Sequence, residues 1–188
     1  MALLRHIKQK NEIKATLIIN LYKIDNYKCN VCKKRTKFII ETMLNDKLFA
    51  LLSAYFALEL KLRNYHWNVE CHHFTEYHRF FEEQYDEIAE NIDEIAEKIR
   101  MLGDKVPANF NTIIETNNKN NVDITNSAVD SKSMILCLLD SSNKLVEMIK
   151  DLKNELDGKR EYMGTCILLD DLLKTREKAC WFLKSLSK

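Results

Sequence analysis

An all-α fold, four long helices packed as a bundle with one long crossover between the second and third, follows from three observations. The 188 residues include a single Pro (Pro107) and three Gly (Gly103, Gly158, Gly164), too few for a turn-rich sheet protein. Hydrophobic residues make up 46% and charged residues 30%, a balance that suits long amphipathic helices. Apolar side chains recur at spacings of three and four along four separate stretches. A chain of this length fits one domain with a sizeable core.

The first stretch runs from about Lys37 to Tyr65 and uses Leu44, Leu48, Leu51, Tyr55, Leu58 and Leu62. The second, from about Thr75 to Leu102, is the most regular: Phe81, Tyr85, Ile88, Ile92, Ile95 and Ile99 alternate spacings of four and three. Gly103 stops it, and Pro107 follows where a helix does not continue. From Ala108 to Ser131 the chain turns to Asn, Thr and Ser, the mark of a long exposed connection, with one short helix expected near 111–116. The third long helix is expected over Ser131–Leu156, through Met134, Leu138, Leu145, Ile149 and Leu152, and Gly158 ends it. The fourth is expected from Glu161 to Leu186, with Leu168, Leu172, Ala179, Leu183 and Leu186 facing inward. Each helix is about 40 Å long at 1.5 Å per residue.

Charge is uneven along the chain. Residues 1–45 carry ten basic side chains against three acidic ones, so this segment is +7 and the remainder −6. Two regions are therefore expected: a basic N-terminal arm over 1–36, and the bundle over 37–188. No apolar run approaches the roughly 20 residues that span a bilayer, and "ATLIINLY" (15–22) is too short, with no small-residue cleavage site after it. The cytoplasm is the expected compartment. The six cysteines are mostly scattered through the helices, as reduced, partly buried thiols rather than a disulfide framework. Cys29 and Cys32 form a lone C-x-x-C in the arm, and only His6 lies near as a further candidate ligand. A closed zinc site within one chain is not expected there; a redox-labile pair or a metal shared between chains remains open.

The stretch "NYHWNVECHHF" (64–74) concentrates three of the five histidines. On the helix that follows, His78 and Glu82 stand at i, i+4, as do Asp93 and Glu97, so each pair can offer two ligands to one ion. Eleven residues separate Glu82 from Asp93: the pairs face nearly the same way yet sit about 16 Å apart along the axis. They bind separate ions, or a second copy of the chain brings them together. In a two-fold dimer whose second helices cross antiparallel near Glu87 and Ile88, His78 and Glu82 of one chain meet Asp93 and Glu97 of the other. Two equivalent sites then form about 22 Å apart, and His66 can add an imidazole to each. Imidazole and carboxylate without thiolate suit iron, manganese or zinc. The alternative is that these residues are the solvated face of an amphipathic helix.

Three segments, "NYHWNVECHHF", "EYHRFFEEQYDEIAENIDEIAEKIRMLG" and "GTCILLDDLLKTREKACWFL", together resemble the Dps proteins (DNA-binding proteins from starved cells), small ferritin-like iron-storage proteins. The resemblance covers about residues 44–186 and rests on H-W-N-V, a His twelve residues after the first, and then D-x-x-A-E. It implies a ferritin-like bundle and a ferroxidase centre between two subunits, with His66, His78 and Glu82 from one chain and Asp93 and Glu97 from its mate as iron ligands. Trp67 matches the family's tryptophan beside the centre, where it serves radical or electron chemistry; otherwise it is an aromatic that closes the bundle end. The resemblance further implies a hollow dodecamer that oxidises Fe(II) with hydrogen peroxide, stores Fe(III) as mineral and protects DNA. Part of the acidic excess on the second helix could face its cavity.

Four positions depart from the family: Glu82 stands for the usual Asp, Cys71 for a small Gly, and Tyr162 and Ile167 for acids that line a three-fold pore. The arm suits non-specific, salt-dependent attraction to DNA phosphates, as in some family members, or packs as an extra helix. His72 and His73 read as surface residues of the turn. The competing function is a nucleoid-binding or shell-forming protein with impaired ferroxidase activity. A bacterioferritin-like protein is disfavoured, because its ligands come as E-x-x-H pairs within one chain.

Overall fold

The computed structural model describes the backbone of residues 30–125 and 128–188, and the side chains of 42–125 and 128–188. Its elements are five α-helices and one 3₁₀ turn: α1 (Asn30–Asn68), α2 (Phe74–Met101), α3 (Phe110–Lys119), α4 (Ser131–Leu156), the 3₁₀ turn Arg160–Tyr162, and α5 (Met163–Leu186). Apart from the helical backbone of 30–36, the basic arm, with Cys29 and the proposed DNA contact, lies outside the described residues, and so does the side chain of Cys32.

Side-chain pairs fix how the helices run. His66 meets His78 and Asn45 meets Asp104, so α1 and α2 are antiparallel. Lys61 meets Cys137 while Lys47 pairs with Glu155, which makes α4 antiparallel to α1 as well. The Lys153–Asp170 and Lys150–Glu177 pairs set α5 antiparallel to α4. It follows that α2 and α4 are parallel, and the chain between them must travel the full length of the bundle. The described residues between Leu102 and Asp130 do this, with α3 midway. This is the four-helix bundle with a long second crossover that the sequence predicts.

The predicted stripes of α1, α2 and α4 form the core: Leu48, Leu51, Leu58, Ile88, Ile95, Leu138 and Ile149 are all buried. Gly103 and Gly158 close α2 and α4 with φ of +95° and +72°, backbone that favours glycine. Five expectations need correction. α1 begins at Asn30 rather than near Lys37, and α3 is longer than expected at both ends. Tyr85 is half-exposed, because it packs on the histidines described below rather than in the seam. The buried register of α5 is Thr165, Leu169, Leu172, Arg176, Ala179 and Leu183, while Leu168 is half-buried and Leu186 exposed. α5 also starts at Met163, after a 3₁₀ turn that takes up the expected start at Glu161.

Two buried polar links tie the crossover down. Asn117 donates to the Ser53 carbonyl on α1 at 2.8 Å. The Lys61 ammonium, 1% exposed, donates to Asp123 at 2.8 Å and to Ser141 on α4 at 3.1 Å. Burial alone would raise the Asp123 carboxyl, but hydrogen bonds from Lys61 and Thr125 outweigh it and hold its pKa well below the carboxylate range. Because the folded value lies below the unfolded one of about 4, this contribution to stability is complete above about pH 4 and is lost as pH falls through the folded value. Urea melts near neutral pH and at about pH 3 should show less stability in acid. Asp123→Asn should flatten part of that difference. The N-terminus of α4 carries a capping box, in which the Asp130 carboxylate accepts from the Ser133 amide at 2.9 Å. Asp130→Ala should lower stability in the same melts, since the cap is lost.

From Thr42 to Lys188 the chain forms one compact unit. Among the described residues no helix is long and apolar enough to cross a membrane.

Candidate metal centre

The centre is built where α1 ends and α2 begins. A five-residue turn, 69–73, separates the two helices, so His66 in the last turn of α1 and His78 in the second turn of α2 come face to face. Their rings stack with centroids 3.6 Å apart and planes at 22°. Each Nδ1 donates to the other residue's backbone carbonyl, both at 2.8 Å. The His66 carbonyl lies among the last four of its helix, which lack partners within the helix, so the exchange also caps α1.

This reciprocity settles the chemistry of both rings. A carbonyl oxygen has no proton to give, so each Nδ1 must carry one, and a neutral imidazole then leaves its lone pair on Nε2. A ring held through one nitrogen to a carbonyl, with the other nitrogen free to bind, is the usual arrangement of a metal-ligating histidine. Aromatic groups hold the pair in place: Phe74 stacks on His78 at 5.0 Å, and Tyr85 meets His66 edge-on at 5.3 Å. Arg63 lies 4.1 Å from the Tyr85 ring centroid and pairs with Glu59. Burial, then the neighbouring Glu82 and Asp86, push the Tyr85 phenol up, with Arg63 opposing them. Sequence reasoning missed these supports, although Phe74 and Tyr85 stand at i−4 and i+7 from His78, on its own helical face.

Glu82 is exposed one turn after His78, with the Tyr85 hydroxyl 3.5 Å from its carboxylate. Asp93 and Glu97 are exposed further along the same helix. Among the described residues, no group of three or more His, Cys, Asp and Glu side chains lies close enough to hold a metal. One chain thus brings His66 and His78 together and leaves Asp93 and Glu97 apart from them. Trp67 is 65% exposed beside His66 in sequence. His72 and His73 are exposed, and Cys71 is a half-buried free thiol. Tyr162 is buried within the chain, whereas Ile167 is exposed.

Residues 45–188 match the ferritin family's profile, described as a ferritin-like domain. The chain belongs to this ferritin-like family. Within it, the chain resembles the Dps proteins. One solved structure is the Dps protein of Vibrio cholerae O1, described as a member of a broad superfamily of ferritin-like diiron-carboxylate proteins: 28% identity over 79% of this chain and 91% of that one, TM-score 0.71. The Dps of Mycobacterium smegmatis shares 25% identity over 77% and 86% of the two chains, TM-score 0.70. The Dps of Bacillus brevis, at 24% identity over 79% and 97%, TM-score 0.72, bears on the fold alone. No curated protein sequence matches the chain.

Proposed function

We propose that this protein oxidises ferrous iron with hydrogen peroxide at sites shared between two copies of the chain, and stores the ferric product as mineral inside a dodecameric shell in the cytoplasm. The observation that carries this reading is the reciprocal bonding of His66 and His78, which leaves both Nε2 lone pairs free for a metal. Glu82 joins them from the same chain, and Asp93 and Glu97 of the mate complete each of the two equivalent sites per dimer. Two ferrous ions give two electrons to one peroxide, which takes up two protons and becomes two waters, a paired transfer that releases no hydroxyl radical. The carboxylates offset the positive charge gained as iron goes from +2 to +3. Trp67, exposed next to a ligand, is placed to supply or pass single electrons.

The dimer has a surface to form on. Phe110 is 83% exposed and Leu60 57%, and with Ile114 and Ile124 they line an apolar groove of about 380 Å³ between α1 and α3. Its occupant is a second copy of the chain, because the metal site is incomplete without one. The +7 arm adds a second role, non-specific association with DNA in the nucleoid. This binding should weaken steeply as salt rises in a mobility-shift titration.

The deciding experiment loads the full-length protein anaerobically with Fe(II), adds a peroxide pulse and follows ferric absorbance. Oxidation well above the buffer rate is expected. Oxidation at the buffer rate would overturn the enzyme reading and leave a shell-forming or nucleoid-binding protein.

A further inference from the structure

In the last two turns of α1, and on α4 beside them, a second set of reactive groups lies outside the His66–His78 pair. The Lys61 ammonium lies 3.5 Å from the Cys137 sulfur, and Lys61 is 1% exposed. The Tyr65 hydroxyl lies against the same sulfur, on a fully buried side chain, and makes no hydrogen bond of ordinary geometry. Cys137 itself is half-buried and unpaired. A cavity of about 10 Å³, room for one water-sized molecule, is lined by Asp123 and Ser141, the two other partners of Lys61. A thiol, a lysine ammonium and an idle hydroxyl therefore meet at one sulfur, with a small cavity against two other partners of the ammonium.

We propose that Cys137 and Lys61 form an oxidation-sensitive pair, in which hydrogen peroxide oxidises the thiol and the lysine then closes on it as a sulfur–nitrogen link between α1 and α4. In the first step the sulfur attacks one peroxide oxygen. An S–O bond forms, the O–O bond breaks, the sulfur loses two electrons, and the second oxygen leaves as water. The ammonium stabilises the negative charge that builds on the departing oxygen. The new oxygen on sulfur gives the Tyr65 hydroxyl the acceptor it lacks. In the second step the Lys61 nitrogen, once its ammonium has given up a proton, attacks the sulfenic sulfur with the freed lone pair, an S–N bond forms and the S–O bond breaks. Water leaves, and that one proton passes to solvent beside Asp123, whose side chain is 35% exposed. The flexible four-carbon stem of the lysine allows the approach. The link removes the cation that Asp123 binds, so the crossover loses one of its two buried ties as α1 and α4 gain a covalent one.

The reaction needs no iron, so iron-free protein tests it separately from the ferroxidase reading. The full chain is treated with hydrogen peroxide, digested with trypsin without reductant and mapped by mass spectrometry. The expected product joins the Lys61 and Cys137 peptides at about 2 Da below the sum of their masses, and dithiothreitol releases it. In Cys137→Ser the product is absent. In Lys61→Arg, which keeps the charge but closes no such link, the sulfenic acid persists and is trapped by dimedone. The proposal is overturned if wild-type Cys137 still reacts fully with maleimide after peroxide, or if it reaches the sulfinic acid while trypsin still cleaves at Lys61. Both results are read on the wild type, so neither depends on a variant folding.

Discussion

Protein carrying His78→Ala, and separately protein carrying Asp93→Ala, is expected to lose at least about tenfold in peroxide-driven iron oxidation, the scale at which a metal site's binding groups matter. Chains of the two variants unfolded, mixed and reassembled together are expected to regain activity that neither has alone. The geometry sets how much. In a dimer of one chain of each kind, one site lacks both ligands and the other keeps both. Random pairing makes half the dimers mixed, so about a quarter of the sites are restored. If His78 and Asp93 served one site within a chain, the mixture would be as inactive as its parents, and the inter-subunit centre would have to be abandoned. The same mixing with Glu97→Ala in place of Asp93→Ala should give the same fraction.

The second large effect concerns stability. Arg176 is 1% exposed, its guanidinium pairs with Glu87 on α2, and its Nε has no partner. Tyr55, fully buried, faces the same charges; burial pushes its phenol up, with Arg176 opposing. Glu87→Ala strands this buried cation. Breaking a buried ion pair from one side costs about 3–5 kcal/mol, and the low end applies because Glu87 is 35% exposed and water can reach the gap. A fall in melting temperature of roughly 6–12 °C is expected by scanning calorimetry. Replacing both partners, Glu87→Leu with Arg176→Met, removes the charge together with its need for a partner, and should recover most of the loss. A melting temperature for Glu87→Ala equal to wild type would show that the pair carries no weight.

The seam residues were legible because burial imposes a period on sequence. Leu44 to Leu62, and Ile88 to Ile99, stand where spacings of three and four put them, and all are buried. The stop at Gly103 was equally plain, since few other residues adopt its φ of +95°. Arg176 was passed over for the opposite reason: an arginine at a seam position reads as a break in the stripe until its carboxylate is found on another helix. Lys61 is the same case, with partners 62 and 80 residues away in Asp123 and Ser141.

Sequence alone thus determined the helices, their order, the need for a long crossover and the set of candidate ligands, because local spacing dictates each of them. It also showed that His78 with Glu82 and Asp93 with Glu97 could not meet on one helix, since the rise per residue forbids it. Only the tertiary structure decided the state of the two candidate imidazoles. The mutual bonds between His66 and His78 exist because antiparallel packing of α1 on α2 sets two carbonyls opposite two imidazoles, and no spacing within either helix encodes that contact. The buried cations Lys61 and Arg176 were likewise settled there, because whether a charge can be buried depends on what other helices bring to it.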